Sequence, residues 1–459
     1  MNLLRGEKIV CQKYRLSTTH ILMLSFLVFI LIGTCLLSLP IASSTGVSVG
    51  LVNALFTATT SSCVTGLVVI PTVSSWSMFG QVVILILIQV GGLGVITAMT
   101  GIAIMLDKRL GIANGLLLQD TLNLTTMSGL VTFIKKVING TFIVEGIGAL
   151  LYMLVFIPEF GARGIWISIF NSVSAFCNAG IDIISENSLC DYATNPMINF
   201  TTCMLIVLGG IGYVVWWDLL KIFKNRHKQK MKFRNLTLHS KIVLSATGFL
   251  IAFGAILIFV FEYNNPMTMQ NLSLFDKIQA SIFQSVTLRT AGFTTINQEY
   301  LTNSSVMLSL LLMFIGGSPV GTAGGVKTIT MVVLFASALA TIRNENRVNL
   351  FDRAISKEVI KKSIAVVCMS FIIAFISTML LSICTQTDFI KIIYEVISAS
   401  ATVGLSMNLT SSLNTIGKII IIVTMYFGRV GPISLAIAFN IKSENKNIVK
   451  NPIEEISVG

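Results

Sequence analysis

Val64-Thr65-Gly66, Asn178-Ala179-Gly180, Thr290-Ala291-Gly292 and Thr402-Val403-Gly404 repeat one pattern along the chain. Each closes an apolar stretch with a short run and a glycine, and the glycines follow one another at intervals of 114, 112 and 112 residues. A period held three times marks a repeat architecture in which each copy is one structural unit. Other positions support the alignment. Ten residues before each glycine stands a large side chain (Phe56, Phe170, Ile282, Tyr394), and one after it an apolar one (Leu67, Ile181, Phe293, Leu405). Six before it, Thr60, Ser174 and Ser398 carry a hydroxyl, with Val286 the exception. Four copies of one loop about an axis make a ring of backbone carbonyls, which replaces the water around a dehydrated cation. Glycine suits such a loop, because turning carbonyls toward an axis often requires φ > 0.

The 459 residues are 54% hydrophobic and 11% charged, against about 25% charged in soluble domains, so the chain reads as an integral membrane protein. Apolar spans at 21–39, 80–105, 138–157, 201–220, 242–261, 306–339, 364–383 and 416–439 each supply the roughly 20 residues that cross a hydrocarbon core. Within each pair lies a shorter stretch, 51–60, 165–175, 278–287 or 390–401, which reads as a re-entrant half-helix. Its C-terminal end, the negative end of the helix dipole, points toward the pore centre and favours a cation. The first span follows a basic lead and precedes Ala42-Ser43-Ser44, as a signal peptide would, but its place in the first repeat argues that it is retained.

The net charge of +12 is segregated by loop, which excludes a nucleic-acid reading. Arg5, Lys8, Lys13 and Arg15 precede the first span. Lys221, Lys224, Arg226, Lys228, Lys230, Lys232 and Arg234 fill the second linker, and Arg343, Arg347, Arg353, Lys357, Lys361 and Lys362 the third. The other side has only a scatter, such as Arg163, Lys277, Lys391 and Lys418. The positive-inside rule places both termini and the linkers in the cytoplasm of a multi-pass protein of the cell membrane. The 221–234 run reads as a topology signal and a contact with anionic membrane lipids, or alternatively as a docking surface for a cytosolic partner. The eight cysteines show no metal spacing and read as small apolar residues. Asp182, Glu186 and Asp191 read as solvated loop charges that concentrate cations weakly.

A second echo falls in the later span of each repeat: Gly91-Gly92-Leu93-Gly94, Gly209-Gly210-Ile211-Gly212, Gly316-Gly317-Ser318-Pro319 and Gly428-Arg429-Val430-Gly431. In the first two copies it reads as close helix packing through small residues. The third continues as Gly316-Gly317-Ser318-Pro319-Val320-Gly321-Thr322-Ala323-Gly324-Gly325. Five glycines at about 1 kcal/mol each and a proline at about 3 make this about 8 kcal/mol worse than alanine as helix. A broken helix is expected there, a loop inside the membrane that is tolerated only where protein or a water-filled cavity satisfies it. It reads as a movable gate or a permanent kink. In the fourth copy Arg429 stands in mid-membrane at a cost of about 2.5–3.5 kcal/mol, so it should face inward, with the loop carbonyls as its natural partners.

Together these residues resemble the Trk/Ktr/HKT superfamily of potassium transporters, and the likeness spans nearly the whole chain. Ser285-Val286-Thr287-Leu288-Arg289-Thr290-Ala291-Gly292-Phe293 looks like the family's third filter and 316–325 like its intramembrane gate, while Arg429 falls where the family has its inner-helix arginine. With eight spans and no added N-terminal pair, the chain is similar to the Ktr-type membrane subunit (KtrB-like) rather than the longer Trk type. The resemblance implies an all-α integral membrane protein of four outer helix–pore loop–inner helix repeats in a pseudo-fourfold, potassium-channel-like arrangement. The expected bounds are a cytoplasmic segment 1–19, repeats at 20–106, 131–221, 240–342 and 362–440, and a tail at 441–459. It implies K+ at the carbonyls of the four filter segments and Na+ as activator of uptake. It also implies a homodimer seated on a cytosolic RCK-type nucleotide-binding ring (KtrA-like). Only Thr402-Val403-Gly404 is close to the usual channel filter, and no repeat has the second Tyr-Gly pair, so looser discrimination is expected. Gly66 favours potassium, because some sodium-conducting relatives have serine at that position.

Two rival classes remain. A coupled secondary carrier of another small solute would explain the break at 316–325 but predicts inverted repeats, not four copies in one sense. An intramembrane enzyme needs paired acids or a Ser/His arrangement at membrane depth. His20, His227 and His239 lie at or outside the cytoplasmic boundary, Glu145 and Glu395 stand alone, and Asp218 sits at a helix end. Glu395 is expected either to orient the fourth filter or to anchor its half-helix.

Overall fold

The computed structural model describes residues 18–105, 130–224 and 233–431. The basic residues before position 18, Arg226, Lys228, Lys230 and Lys232 of the second linker, the end of the fourth repeat beyond 431 and the 441–459 tail lie outside the described residues.

The chain runs α1 (Thr18–Leu37), α2 (Leu51–Cys63), α3 (Met78–Leu93), α4 (Val95–Met105), α5 (Leu130–Phe160), α6 (Ala162–Phe176), α7 (Pro196–Gly210), α8 (Tyr213–Lys224), α9 (Leu238–Glu262), α10 (Leu274–Thr287), α11 (Asn303–Phe314), α12 (Thr328–Ile342), α13 (Lys357–Cys384), α14 (Phe389–Ser400) and α15 (Thr415–Val430). Single helical turns and a small hairpin pairing Asn349–Leu350 with Arg353–Ala354 complete it. Among the described residues, α1, α5, α9 and α13 are long and apolar enough to cross a membrane individually. Each packs on the short helix that follows it, α2, α6, α10 and α14. Leu27, Phe249, Phe371 and Phe375 stand exposed on the long helices. Such a surface suits lipid, and a helix meets the demand that every backbone group there be bonded internally. After each short helix and its loop, a capped helix begins: Ser77, Asn195, Thr302 and Asn414 each accept a first-turn N–H.

Two of the expected continuous spans are broken. The 80–105 span stops at Gly94, φ +86°, and the 201–220 span turns by 99° between α7 and α8. The reason lies in the glycine echo, which combines packing with interruption. Gly91 abuts the Ser62 carbonyl, Gly209 the Phe176 carbonyl and Gly428 the Ser400 carbonyl, leaving no room for a Cβ. Three residues later the backbone turns left-handed, at Gly94, Gly212 (φ +87°) and Gly431 (φ +93°), and the helix ends. In the third copy Pro319 stands at that position, and no helix runs between Phe314 and Thr328.

The third short helix is also out of step with the count back from its glycine. Phe56, Phe170 and Tyr394 are fully buried, but Ile282 is 43% exposed and Phe283 takes the buried place. Likewise Thr287, not Val286, supplies the hydroxyl that bonds the following loop. The buried aromatic and the anchoring hydroxyl each stand one residue nearer the glycine there, so the Ile282 and Val286 assignments move to Phe283 and Thr287.

Candidate functional site

The four glycines meet. A Cβ built on Gly66 would lie 2.5 Å from the Ala179 carbonyl oxygen, 3.2 Å from Gly404 Cα and 3.3 Å from Gly180 Cα. One on Gly180 would lie 2.5 Å from the Ala291 oxygen and 2.7 Å from Gly292 Cα, and one on Gly292 2.7 Å from the Val403 oxygen. One on Gly404 would strike the Thr65 oxygen and lie 2.8 Å from Gly66 Cα. The contacts close a ring in chain order, each glycine facing the carbonyl that precedes the next glycine. All four glycines have positive φ: +98°, +65°, +83° and +96°. Two residues earlier, Val64, Asn178, Thr290 and Thr402 are also left-handed, with φ between 52° and 64°. That conformation costs a side-chain-bearing residue about 1–2 kcal/mol, and three of these four are β-branched.

Hydrogen bonds from the end of each short helix hold this backbone. Thr65, Ala179 and Val403 N–H each donate to a carbonyl five residues back at 2.8 Å, and Ala291 N–H to Thr287 O at 3.0 Å. Gly66 and Gly404 N–H donate to Thr60 Oγ1 and Ser398 Oγ at 3.0 Å. Ile181 N–H donates to Ser174 Oγ, and Thr287 Oγ1 donates to the Phe293 carbonyl at 2.6 Å. Thr287→Val, which leaves that carbonyl unbonded, is therefore expected to cost about 1–3 kcal/mol, while Thr287→Ser, which keeps the hydroxyl, costs less. Thermal unfolding of the purified protein in potassium checks the order.

The 316–325 residues lie against the start of these strands. Gly324 packs on the Thr402 hydroxyl and lies 3.2 Å, as a Cβ, from the Ala401 carbonyl. Ser318 N–H and Thr322 N–H donate to Gly210 O and Gly209 O, and Tyr213 N–H to Val320 O, fastening the loop to the break between α7 and α8. Gly316 and Gly317 N–H donate to Val326 O and Gly324 O, and Gly325 and Gly321 sit against backbone too. Arg429 Nη1 donates to Thr322 O at 2.5 Å, while Nη2 reaches Gly91 O and Gly92 O. The Gly91-Gly92 carbonyls were not legible as partners, since their glycines read as packing residues. Sequence reasoning also passed over Lys327, whose Nζ donates to Ala323 O at 2.6 Å. Two basic side chains thus hold consecutive carbonyls of the loop, and among the described residues neither has an ion pair.

On the far side of the glycines opens a cavity of about 170 Å³ lined by Gly66, Gly180, Gly292 and Gly404 together with Thr72, Asp182, Ser185, Glu186, Ser188, Thr294, Ser406, Asn408 and Thr410. No basic side chain lines it. Asp182 is half-buried there rather than freely solvated. Burial pushes its carboxyl up to about 6, against hydrogen bonds from Ser188 and the Ile184 and Ser185 backbone. Glu186 is exposed and accepts from Ser74 Oγ at 3.0 Å, and Asp191 is exposed. Glu395 is fully buried and accepts from Ser406 Oγ at 2.6 Å and from Thr410 Oγ1, so it fixes the segment beyond Gly404 from behind. Glu145 is buried in the middle of α5, its oxygen 3.9 Å from Cys177 Sγ, the residue before Asn178.

Among the described residues, fifteen helices of more than one turn, four of them individually able to span a bilayer, surround the four glycines and the acidic cavity beside them. The fold is that of an all-α membrane protein. A family model described as TrkH, cation transport protein, matches residues 11–451. The chain belongs to that family. It is 37% identical to the Ktr system potassium uptake protein B of Bacillus subtilis, over 99% of this chain and 100% of that one. It is 36% identical to the potassium/sodium uptake protein NtpJ of Enterococcus hirae, over 97% and 98%. It is 34% identical to the Ktr system potassium uptake protein B of Vibrio alginolyticus, over 96% and 94%. The crystal structure of the potassium transporter TrkH from Vibrio parahaemolyticus superimposes with a TM-score of 0.74 at 17% identity, covering 93% of this chain and 86% of the other, a likeness of fold.

Proposed function

We propose that the chain is the membrane subunit of a Ktr-type system and takes up potassium through a filter formed by residues 64–66, 178–180, 290–292 and 402–404. The observation that carries this reading is the closed ring of four glycines, each facing a carbonyl of the next strand. Such carbonyls substitute for water around a dehydrated alkali cation. In this reading the four long–short–broken helix units are the outer helix–pore loop–inner helix repeats. The acidic cavity is the outer vestibule, and the basic linkers and both termini are cytoplasmic. The names of relatives at 34–37% identity, two potassium uptake proteins and a potassium/sodium uptake protein, support potassium as cargo and sodium as a second ion or activator.

The 316–325 loop is then the gate, held shut by Arg429 on Thr322 and Lys327 on Ala323, with the guanidinium charge opposing cation passage. A homodimer and a cytosolic nucleotide-binding ring that moves the gate complete the system. The test is rubidium uptake by potassium-uptake-deficient cells that express the chain with its ring partner, with and without sodium. Saturable uptake stimulated by sodium is expected; no uptake by an assembled complex would sink the potassium reading. Asp182→Asn removes the half-buried vestibule charge and is expected to raise KM for rubidium by about two- to fivefold, with maximal rate little changed. An unchanged KM would show that this carboxylate does not concentrate the ion.

A further inference from the structure

The second strand of the ring is bonded to the loop beneath it through side chains. Thr322, whose carbonyl Arg429 holds, is fully buried, and its hydroxyl lies 3.1 Å from the Phe176 carbonyl oxygen and 2.9 Å from Asn178 Oδ1. A hydroxyl proton serves one acceptor at a time. With the Asn178 amide turned over, its Nδ2–H donates to Thr322 Oγ1 while the hydroxyl keeps the Phe176 carbonyl, and an amide nitrogen otherwise without a partner is satisfied. Gly209 makes the approach possible: a Cβ there would meet the Phe176 carbonyl, Thr322 Oγ1 at 2.7 Å and Asn178 Oδ1 at 2.8 Å. The corresponding residues of the other strands have no such tie. Val64 is apolar, and the buried hydroxyls of Thr290 and Thr402 have no hydrogen-bond partner among the described residues.

We propose that the Thr322–Asn178 contact makes ion discrimination depend on the position of the loop: a seated loop keeps the Asn178 amide engaged, and a displaced loop frees it to bind the passing ion. This rests on the filter reading above. A buried amide that loses its partner must find another, and in a conduction path the partners on offer are water and the cation. A freed, mobile oxygen closes around a smaller ion more readily than fixed carbonyls do, so release lowers the preference for potassium over sodium. Thr322 is thus a positioning residue that acts through Asn178.

The experiment measures rubidium and sodium uptake in parallel at matched surface expression. Thr322→Val keeps the shape and removes the hydroxyl, and is expected to lower the rubidium-to-sodium ratio about fivefold, the worth of one buried hydrogen bond. Thr322→Ser restores the hydroxyl and is expected to stay within about twofold of the parent. Arg429→Gln, which loosens the loop at the other end, is expected to shift the ratio in the same direction. Adding Thr322→Val to it should then change little, because both act through one contact. An unchanged ratio in Thr322→Val, or an equal shift in Thr322→Ser, overturns the proposal. If Thr322→Val does not reach the membrane, Arg429→Gln decides alone: greater flux at an unchanged ratio overturns it. A parent protein that takes up no rubidium fails the filter reading itself, which is a different result.

Discussion

Gly404→Ser is expected to lower rubidium uptake by about 100-fold, whereas Gly66→Ser loses only about tenfold and retains a measurable, less selective flux. The difference lies in what each new Cβ meets. At Gly404 it strikes the Thr65 carbonyl and comes within 2.8 and 3.0 Å of the Gly66 backbone. At Gly66 one carbonyl stands at 2.5 Å, and the next atoms are at 3.2 and 3.3 Å. Both positions have φ near +100°, so both pay the left-handed cost of about 1–2 kcal/mol, and crowding against backbone adds about as much at Gly404. Uptake at matched surface expression, with sodium as competitor, checks this. Parent-like uptake by Gly404→Ser would be incompatible with a conducting ring closed by that glycine.

The second large effect is expected at Arg429. Its guanidinium spans from Thr322 of the loop to Gly91 and Gly92 of α3, and hydrogen bonds from a charged group are worth about 1.5–3 kcal/mol each. Arg429→Gln should raise rubidium uptake measured without the cytosolic ring by at least about tenfold, from the loss of one such bond on the loop. Arg429→Lys keeps the charge but not the fork that reaches two elements, and should fall between. Decreased uptake by a correctly inserted Arg429→Gln protein would mean that the arginine supports conduction instead of blocking it.

Much of this was legible in the sequence because it rests on features that local chemistry demands. The 112-residue glycine period, the apolar spans and the helix break at 316–325 all follow from composition at single positions. The breaks after Gly91-Gly92 and Gly209-Gly210 were not, because a small-residue pair serves close packing as readily as an interruption. Counting back from Gly292 gave Ile282 and Val286, since a one-residue shift leaves no mark where Ile282 is followed by Phe283 and Val286 by Thr287. Lys327 was hidden because the whole 306–339 stretch reads as one apolar span in which a single lysine leaves the hydropathy high; its place just before α12 emerges only with the fold. The left-handed backbone at Val64, Thr290 and Thr402 ran against local preference and is held by hydrogen bonds that tie each segment to the end of its own short helix.

The ring comes from one polypeptide, and that alters how it changes with time. In an assembly of four identical chains, every substitution at the ring is made four times and the symmetry survives. Here a substitution touches one quarter and leaves three. The residues two before each glycine, Val64, Asn178, Thr290 and Thr402, already differ: one is apolar, one carries an amide and two carry hydroxyls. In the filter proposed above, the four quarters are therefore chemically unequal at that level. Selectivity in such a protein is inherited in quarter steps, and drift from one preferred alkali ion to another passes through working intermediates.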